Sequence, residues 1–366
     1  MQLIGSEVFR VSVPLITTFR TALREVHAVD EIRVKLITDS GLEGIGAAAP
    51  TAAITGDTVG SIEGALSEYL LPSLRAVDLS DQARTLRAVA RSLVLNRSAK
   101  AAVDIALHDL YAKRAGQSLA AWLGAADGPY TLHTDATVSL NTPESMAAQA
   151  AQLHSDSFTT LKIKLGGHDG LDMVRMTKIR ETVGPSALLR VDANQAWTVR
   201  ECIRYLPELV RLGVELIEQP VQANDIEGLG AIARESPIPI VADETVFDLN
   251  DLLRVIHSRA ADIINIKLMK TGGLSQARTM IALARSQDLK VMVGSMMEGV
   301  ISVTAAVSLA VASHAEFLDL DAGYFLTQTD VDGGVRYHGS RIELPQALGL
   351  GITVSSDRDA LQRRPQ

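Results

Sequence analysis

The stretch TTLKIKLGG, residues 159 to 167, carries two lysines one residue apart. In a strand, alternate side chains share a face, so Lys162 and Lys164 point together while Leu161, Ile163 and Leu165 point the other way. Three acids follow, Asp192, Glu218 and Asp243, at intervals of 26 and 25 residues, and Lys267 comes 24 residues after the last of them. Carboxylates brought to one place repel and raise one another's pKa unless a cation lies among them. With hard oxygen donors only, and no Cys or His beside them, that cation is expected to be Mg²⁺ rather than zinc. Isolated caps or surface ion pairs are the alternative, one that suits a single acid better than three in step.

Lysine acts as a base only when neutral, and its reference pKa is about 10.4. Bringing it to about 7 or 8 requires roughly 4 kcal/mol of destabilisation of the charged form. Burial, a neighbouring ammonium and a divalent cation all act in that direction, so depressed lysine pKa values are expected here. With Lys164 and Lys267 on opposite sides of a metal-bound carboxylate, one can remove an α-proton and the other return it to the opposite face. Lys162 and the metal would stabilise the intervening enediolate, a 1,1-proton transfer that inverts the stereocentre.

Such a site needs elements that bring these residues to one height. From about residue 130, β-rich runs alternate with amphipathic helix-length segments. The predicted strands cover 131–140, 158–165, 187–194, 214–221, 238–244, 262–269, 290–297 and 316–322. Strand–helix–strand units force parallel pairing, which predicts an α/β fold: a modified TIM barrel of (β/α)7β type spanning 126–329. No Gly-rich dinucleotide turn follows any strand, which disfavours a doubly wound sheet. In a barrel the C-terminal strand ends form the mouth, and the acids and lysines fall at those ends. Residues 1–125 read as a separate α+β capping domain, an antiparallel meander followed by helices. The segment from about 330 to 366 is strand-and-turn material expected to return to that lobe.

The 366 residues are 47% hydrophobic and 21% charged, with a net charge of −8. No basic face or interleaved aromatics suggest a nucleic-acid partner. Neither a signal peptide nor a membrane span is legible. The single cysteine, Cys202, cannot form an internal disulfide and reads as a buried helix residue rather than a nucleophile. A cytoplasmic protein is expected, forming a homo-oligomer, without nucleic-acid or membrane partners.

The ordered set LKIKLGG, RVDANQAW, IEQPV, VADETVF and NIKLMKTGG resembles the enolase superfamily, in its muconate-lactonizing-enzyme subgroup. The resemblance extends over nearly the whole chain. It implies one Mg²⁺ per subunit held by Asp192, Glu218 and Asp243, with Lys164 and Lys267 as bases and Lys162 as electrostatic helper. Within the subgroup, FLDLDAG is the discriminating stretch. Asp319 and Asp321 share a face and suit an α-ammonium group, as in the dipeptide epimerases that this Asp-x-Asp resembles. RTALREV and APTAAITGDT resemble the cap loops of L-Ala-D/L-Glu epimerases. Arg24 would then hold the acidic side chain of the second residue, with Arg20 a competing candidate. A dipeptide is accordingly the expected small-molecule substrate.

Thr137 and Ser295 either line the pocket or pack in the core. Glu298 is a candidate supporting acid, and Asn194 points inward with no role assigned. His133 begins its strand at the wrong end for the site. Cycloisomerase, o-succinylbenzoate synthase and N-succinylamino acid racemase chemistry use the same metal and lysines and remain open. A non-catalytic barrel scaffold is the third class.

Overall fold

The computed structural model describes residues 1–126, 128–327 and 331–354. Position 330 and residues 355–366, part of the C-terminal segment expected to join the N-terminal lobe, lie outside the described residues.

The N-terminal lobe is a three-stranded antiparallel sheet, β1 (Leu3–Arg20), β2 (Glu25–Thr38) and β3 (Glu43–Ala48). It is followed by helices α1 (Val59–Ala65), α2 (Leu71–Arg75), α3 (Gln82–Arg91), α4 (Arg97–Arg114) and α5 (Leu119–Trp122). The first two are joined through a π-turn at Leu66–Leu70. Buried α4 lies across β3 with no room for a side chain between them: a Cβ on Gly46 would stand 1.9 Å from the Ala102 carbonyl oxygen. The register of β1 on β2 shifts between Pro14 and Phe19. The chain then turns at Thr21–Arg24, and the Arg20 carbonyl accepts a 3.0 Å hydrogen bond from Leu140 N. That bond fastens the hairpin tip beside the first barrel strand.

The barrel is eight parallel strands in sequence order: β5 (Ala136–Val138), β6 (Thr160–Lys164), β7 (Leu188–Asp192), β8 (Val214–Glu218), β9 (Ile240–Ala242), β10 (Ile263–Lys267), β11 (Lys290–Gly294) and β12 (Phe317–Asp319). Their outward residues are mainly Val, Ile and Leu, as strands enclosed on both faces require. Between them run α6 (Pro143–Ser155), α7 (Asp172–Val183), α8 (Val199–Arg211), α9 (Ile226–Glu235), α10 (Leu249–Ser258), α11 (Leu268–Thr271), α12 (Leu274–Arg285) and α13 (Val300–Ser313). The starts are encoded locally. Thr142 caps α6 with Pro143 at the first turn, and Thr198 with Glu201 forms a capping box on α8, each satisfying free N–H groups. β5 and β12 meet at a seam closed by side chains. Leu320 N donates to Thr134 Oγ1 at 2.9 Å, and Thr137 N to Asp321 Oδ2 at 2.6 Å. The expected (β/α)7β barrel is thus present.

Two local expectations change. The predicted strand 131–140 is broken at Thr134–Asp135; its first half, β4 (Thr131–His133), leaves the barrel. It pairs with β15 (Arg341–Glu343), itself paired with β14 (Arg336–His338). The predicted strand 262–269 stops at Lys267, and Leu268–Thr271 turn into helix α11. The remaining C-terminal strands, β13 (Val331–Gly333) and β16 (Ile352–Val354), pair with each other. The chain touches the N-terminal lobe through Leu119 N to Gly349 O at 2.7 Å and Leu350 N to Asp109 at 2.8 Å. No described helix is long and apolar enough to cross a membrane.

Candidate active site at the barrel mouth

Register decides which residues meet. Lys164 pairs with Asp192, and Asp192 with Glu218, across three adjacent strands. Asp243 follows β9 directly, and Lys267 ends β10 opposite Gly294. A Cβ on Gly294 would stand 2.7 Å from Asn265 and 3.1 Å from Asp319. The missing side chain therefore lets two polar groups enter the barrel.

The expected lysines and carboxylates lock together. Lys162 Nζ lies 2.6 Å from Glu218, 2.7 Å from Asp319 and 3.2 Å from Asp192. Lys164 Nζ is 2.6 Å from Asp192 Oδ2, and Lys267 Nζ is 2.7 Å from Asp243 Oδ2. All seven residues are buried. Lys164 and Lys267 reach one pocket from β6 and β10, with the carboxylate strands β7, β8 and β9 between them. The same pocket is lined by Phe19, Arg24, Thr137, Ser295, Asp319 and Asp321, whereas Lys162, also expected on the substrate side, lies beneath it among the carboxylates.

The ionisation differs from expectation. Burial pulls the Lys267 pKa down, but Asp243 and its neighbouring carboxylates outweigh that, and it stands above the usual lysine value. Burial likewise pulls Lys162 down, but Asp319, Glu218 and Asp192 hold it well above the usual lysine value. The expectation of depressed values rested on burial, a neighbouring ammonium and a divalent cation acting together; for Lys162 and Lys267 the surrounding carboxylates set the direction here. Burial pushes the acids up, but the lysines hold Asp192 and Asp243 below the ordinary carboxylate range and Asp319 at about 2. Glu218 is the exception, raised because burial outweighs Lys162. Asp321, buried and beside Asp319, is raised to about 6. Burial likewise lifts Glu298 to about 7.

Among the described residues, no three carboxylate, imidazole or thiol groups converge on one point. The ammonium groups take the central positions instead. The donors nonetheless suit a hard divalent ion. They are buried carboxylate oxygens at the ends of adjacent strands, the donor set that an oxygen-seeking cation takes.

Of the two candidate arginines, Arg24 is the one that lines the pocket. Arg20 bonds Glu25 at 2.7 Å on the exposed hairpin. Arg24 faces the pocket with its Nε buried and unpartnered, and burial lowers its pKa to about 10, so it keeps its charge at neutral pH.

Several contributors escape the sequence reading. Phe19 places its ring 5.9 Å from Lys164 Nζ. Asn194, left without a role, links Asp192 to Glu244, with its Nδ2 3.3 Å from each. Asn265 donates to Glu218 at 2.7 Å. It shares the inward face of β10 with Lys267, so strand alternation alone could have found it. Gln219 Oε1 accepts from Asp243 N at 3.0 Å. Buried Lys270 approaches Asp243 from behind; burial draws its own pKa down. Cys202 is buried on α8, as expected, with its thiol pushed up to about 12. His133 lies outside the site, bonded to Ser340 at 3.2 Å.

A barrel with lysines and carboxylates at its mouth and an antiparallel lobe above it defines a superfamily. Residues 4–124 match the mandelate racemase/muconate lactonizing enzyme N-terminal domain and residues 145–358 the enolase C-terminal domain-like family, and the chain belongs to this group. Within it, the chain is similar to the L-Ala-D/L-Glu epimerase of Clostridium acetobutylicum, 45% identical over 93% of this chain and 96% of that one. It is also similar to a solved substrate-liganded complex of the L-Ala-D/L-Glu epimerase from Bacillus subtilis. That structure has a TM-score of 0.94 and 41% identity, covering 97% of this chain and 100% of its own. A third relative is the Enterococcus faecalis dipeptide epimerase complexed with Mg and L-Leu-L-Tyr. Its TM-score is 0.92 and its identity 34%, covering 96% of this chain and 100% of its own.

Proposed function

We propose that this chain is a Mg²⁺-dependent dipeptide epimerase of L-Ala-D/L-Glu type that inverts the α-carbon of the C-terminal residue. One observation carries the reading: Lys164 and Lys267 face a single buried pocket from strands separated by the three carboxylate strands. The names of the relatives, and their bound dipeptides and Mg, support it.

Asp192, Glu218 and Asp243 would hold the ion. When bound, it supplies Lewis-acid polarisation of the substrate carboxylate, which acidifies the α-carbon. The protein does the rest. Lys164 takes the α-proton on one face as its nitrogen lone pair bonds to hydrogen, and the C–H electrons move into the carboxylate as an enediolate. Lys267, protonated, returns a proton on the other face. The roles exchange in the reverse direction. Lys162 stays cationic beside the developing charge. Asp319 and Asp321 bind the substrate's ammonium end, and Arg24 binds the glutamate side chain bidentately. Thr137 and Ser295 line the pocket walls between those ends. The hairpin tip bearing Phe19 and Arg24 excludes water.

Incubating L-Ala-L-Glu in D₂O with Mg²⁺ tests this directly. Deuterium enters the glutamate α-position and the D-epimer accumulates. Lys164→Ala and Lys267→Ala each abolish epimerisation, and each removes exchange from one epimer while sparing the other. Absence of exchange into any dipeptide, together with turnover of a succinylated or cyclic acid, defeats the proposal. One observation favours N-succinylamino acid racemisation as the second reading: Asp319 is already bonded to Lys162 at 2.7 Å, which would make it structural. The same D₂O panel, extended to N-succinylamino acids, separates the two.

A further inference from the structure

Lys270 is as buried as any residue in the barrel, with no exposed surface. A lysine so placed is costly unless its charge and its three donors are satisfied. All of its partners belong to the strand ends beneath the mouth. Its Nζ lies 2.5 Å from Asp243 Oδ1, 2.5 Å from the Asp243 carbonyl oxygen and 2.9 Å from the Asn265 carbonyl oxygen. The Phe247 ring covers it at 5.6 Å. Asp243 is therefore gripped at one carboxylate oxygen and at its own backbone by Lys270. Its other oxygen faces Lys267 at 2.7 Å. Asn265, whose carbonyl Lys270 also holds, sends its side chain to Glu218.

We propose that Lys270 is a positioning residue, which fixes the Asp243 carboxylate so that a single oxygen is presented to the cation. The inference rests on the reading of Asp243 as a metal ligand. Lys270 touches neither the pocket lining nor, on that reading, the substrate. It acts through Asp243 by direct contact and through Glu218 by way of Asn265. Groups behind ligands that set their orientation typically contribute about 10- to 100-fold in metal affinity.

The sign of the effect separates positioning from simple charge balance. A buried ammonium beside a metal site repels the metal, so if Lys270 only offset charge, its removal would tighten binding. If it positions Asp243, its removal weakens binding. The test is titration of the whole protein with Mn²⁺ followed by electron paramagnetic resonance, alongside the melting temperature in EDTA. Lys270→Met is expected to raise the Mn²⁺ dissociation constant at least tenfold. Lys270→Gln, which keeps donors for the two carbonyls but not the charge, carries the same expectation and serves if the methionine variant does not fold. Unchanged or tighter Mn²⁺ binding in a folded variant overturns the inference. Asp243→Asn is the control for the reading beneath it. If that variant binds Mn²⁺ like the parent protein, Asp243 is no ligand and the functional proposal fails. If it loses Mn²⁺ while Lys270→Met does not, only the positioning role fails.

Discussion

At the mouth of the barrel four carboxylates, Asp192, Glu218, Asp243 and Asp319, interlock with Lys162, Lys164, Lys267 and Lys270. Each charge is buried, so removing one leaves its partner desolvated and unpaired, a loss of about 3 to 5 kcal/mol for a buried pair. Lys162→Met should consequently lower stability as well as activity, visible as a shifted urea midpoint. Asp321 gives the site a pH dependence. Its carboxyl is raised to about 6, so below that pH it is neutral and attracts a substrate ammonium less. We expect kcat/KM to fall as pH drops below about 6, and Asp321→Asn to raise KM and flatten that limb. Arg24→Met should reduce kcat/KM for L-Ala-L-Glu far more than for dipeptides with an apolar second residue. Equal losses for both would show that Arg24 does not read the side chain. Lys162, Lys164 and the three acids were legible because strand alternation and βα spacing place them without reference to tertiary contacts. The charge state of the lysines was not, because it depends on how many carboxylates surround each ammonium, a sum over strands that lie far apart in sequence.

The eight barrel strands and the helices between them were legible as elements, since the strands are largely apolar runs and several of the helices carry local caps. What escaped were breaks that tertiary structure imposes. Thr134 and Asp135 interrupt a strand-like run because they serve the seam and Arg190, from whose guanidinium Asp135 accepts a 2.9 Å bond. Leu268–Thr271 coil into α11 although their composition reads as strand, which is how Lys270 comes to lie behind Asp243. Asp104 of α4 then caps the next helix, α12, accepting from Leu274 N at 2.6 Å and Ser275 N at 3.2 Å. That contact ties the N-terminal lobe to the turn after β10. Asp104→Ala should cost about 2 kcal/mol, the value of a cap whose partners are left buried, measured as a lowered denaturant midpoint. An unchanged midpoint would mean that α12 is held by packing alone.

For the whole molecule, both lobes contribute to one pocket: Phe19, Thr21 and Arg24 from the hairpin and the lysines and acids from the barrel. A cation or ligand bound there stabilises the folded protein by mass action. Mg²⁺ at a hundredfold excess over its dissociation constant adds about 2.7 kcal/mol. For a chain of this length that is on the order of 3 °C in melting temperature, which calorimetry with and without EDTA would detect. Absence of any shift would argue against a metal site. The seam between β5 and β12 bears on the same coupling. A barrel is only as stiff as the joint where its first and last staves meet, and here the latch at that joint, Asp321, is also a wall of the pocket. A guest that grips Asp321 tightens the hoop it sits in. Occupancy should thus slow amide exchange along Ala136–Val138, a mechanical signature of binding that a rigid, independently closed cylinder would not show.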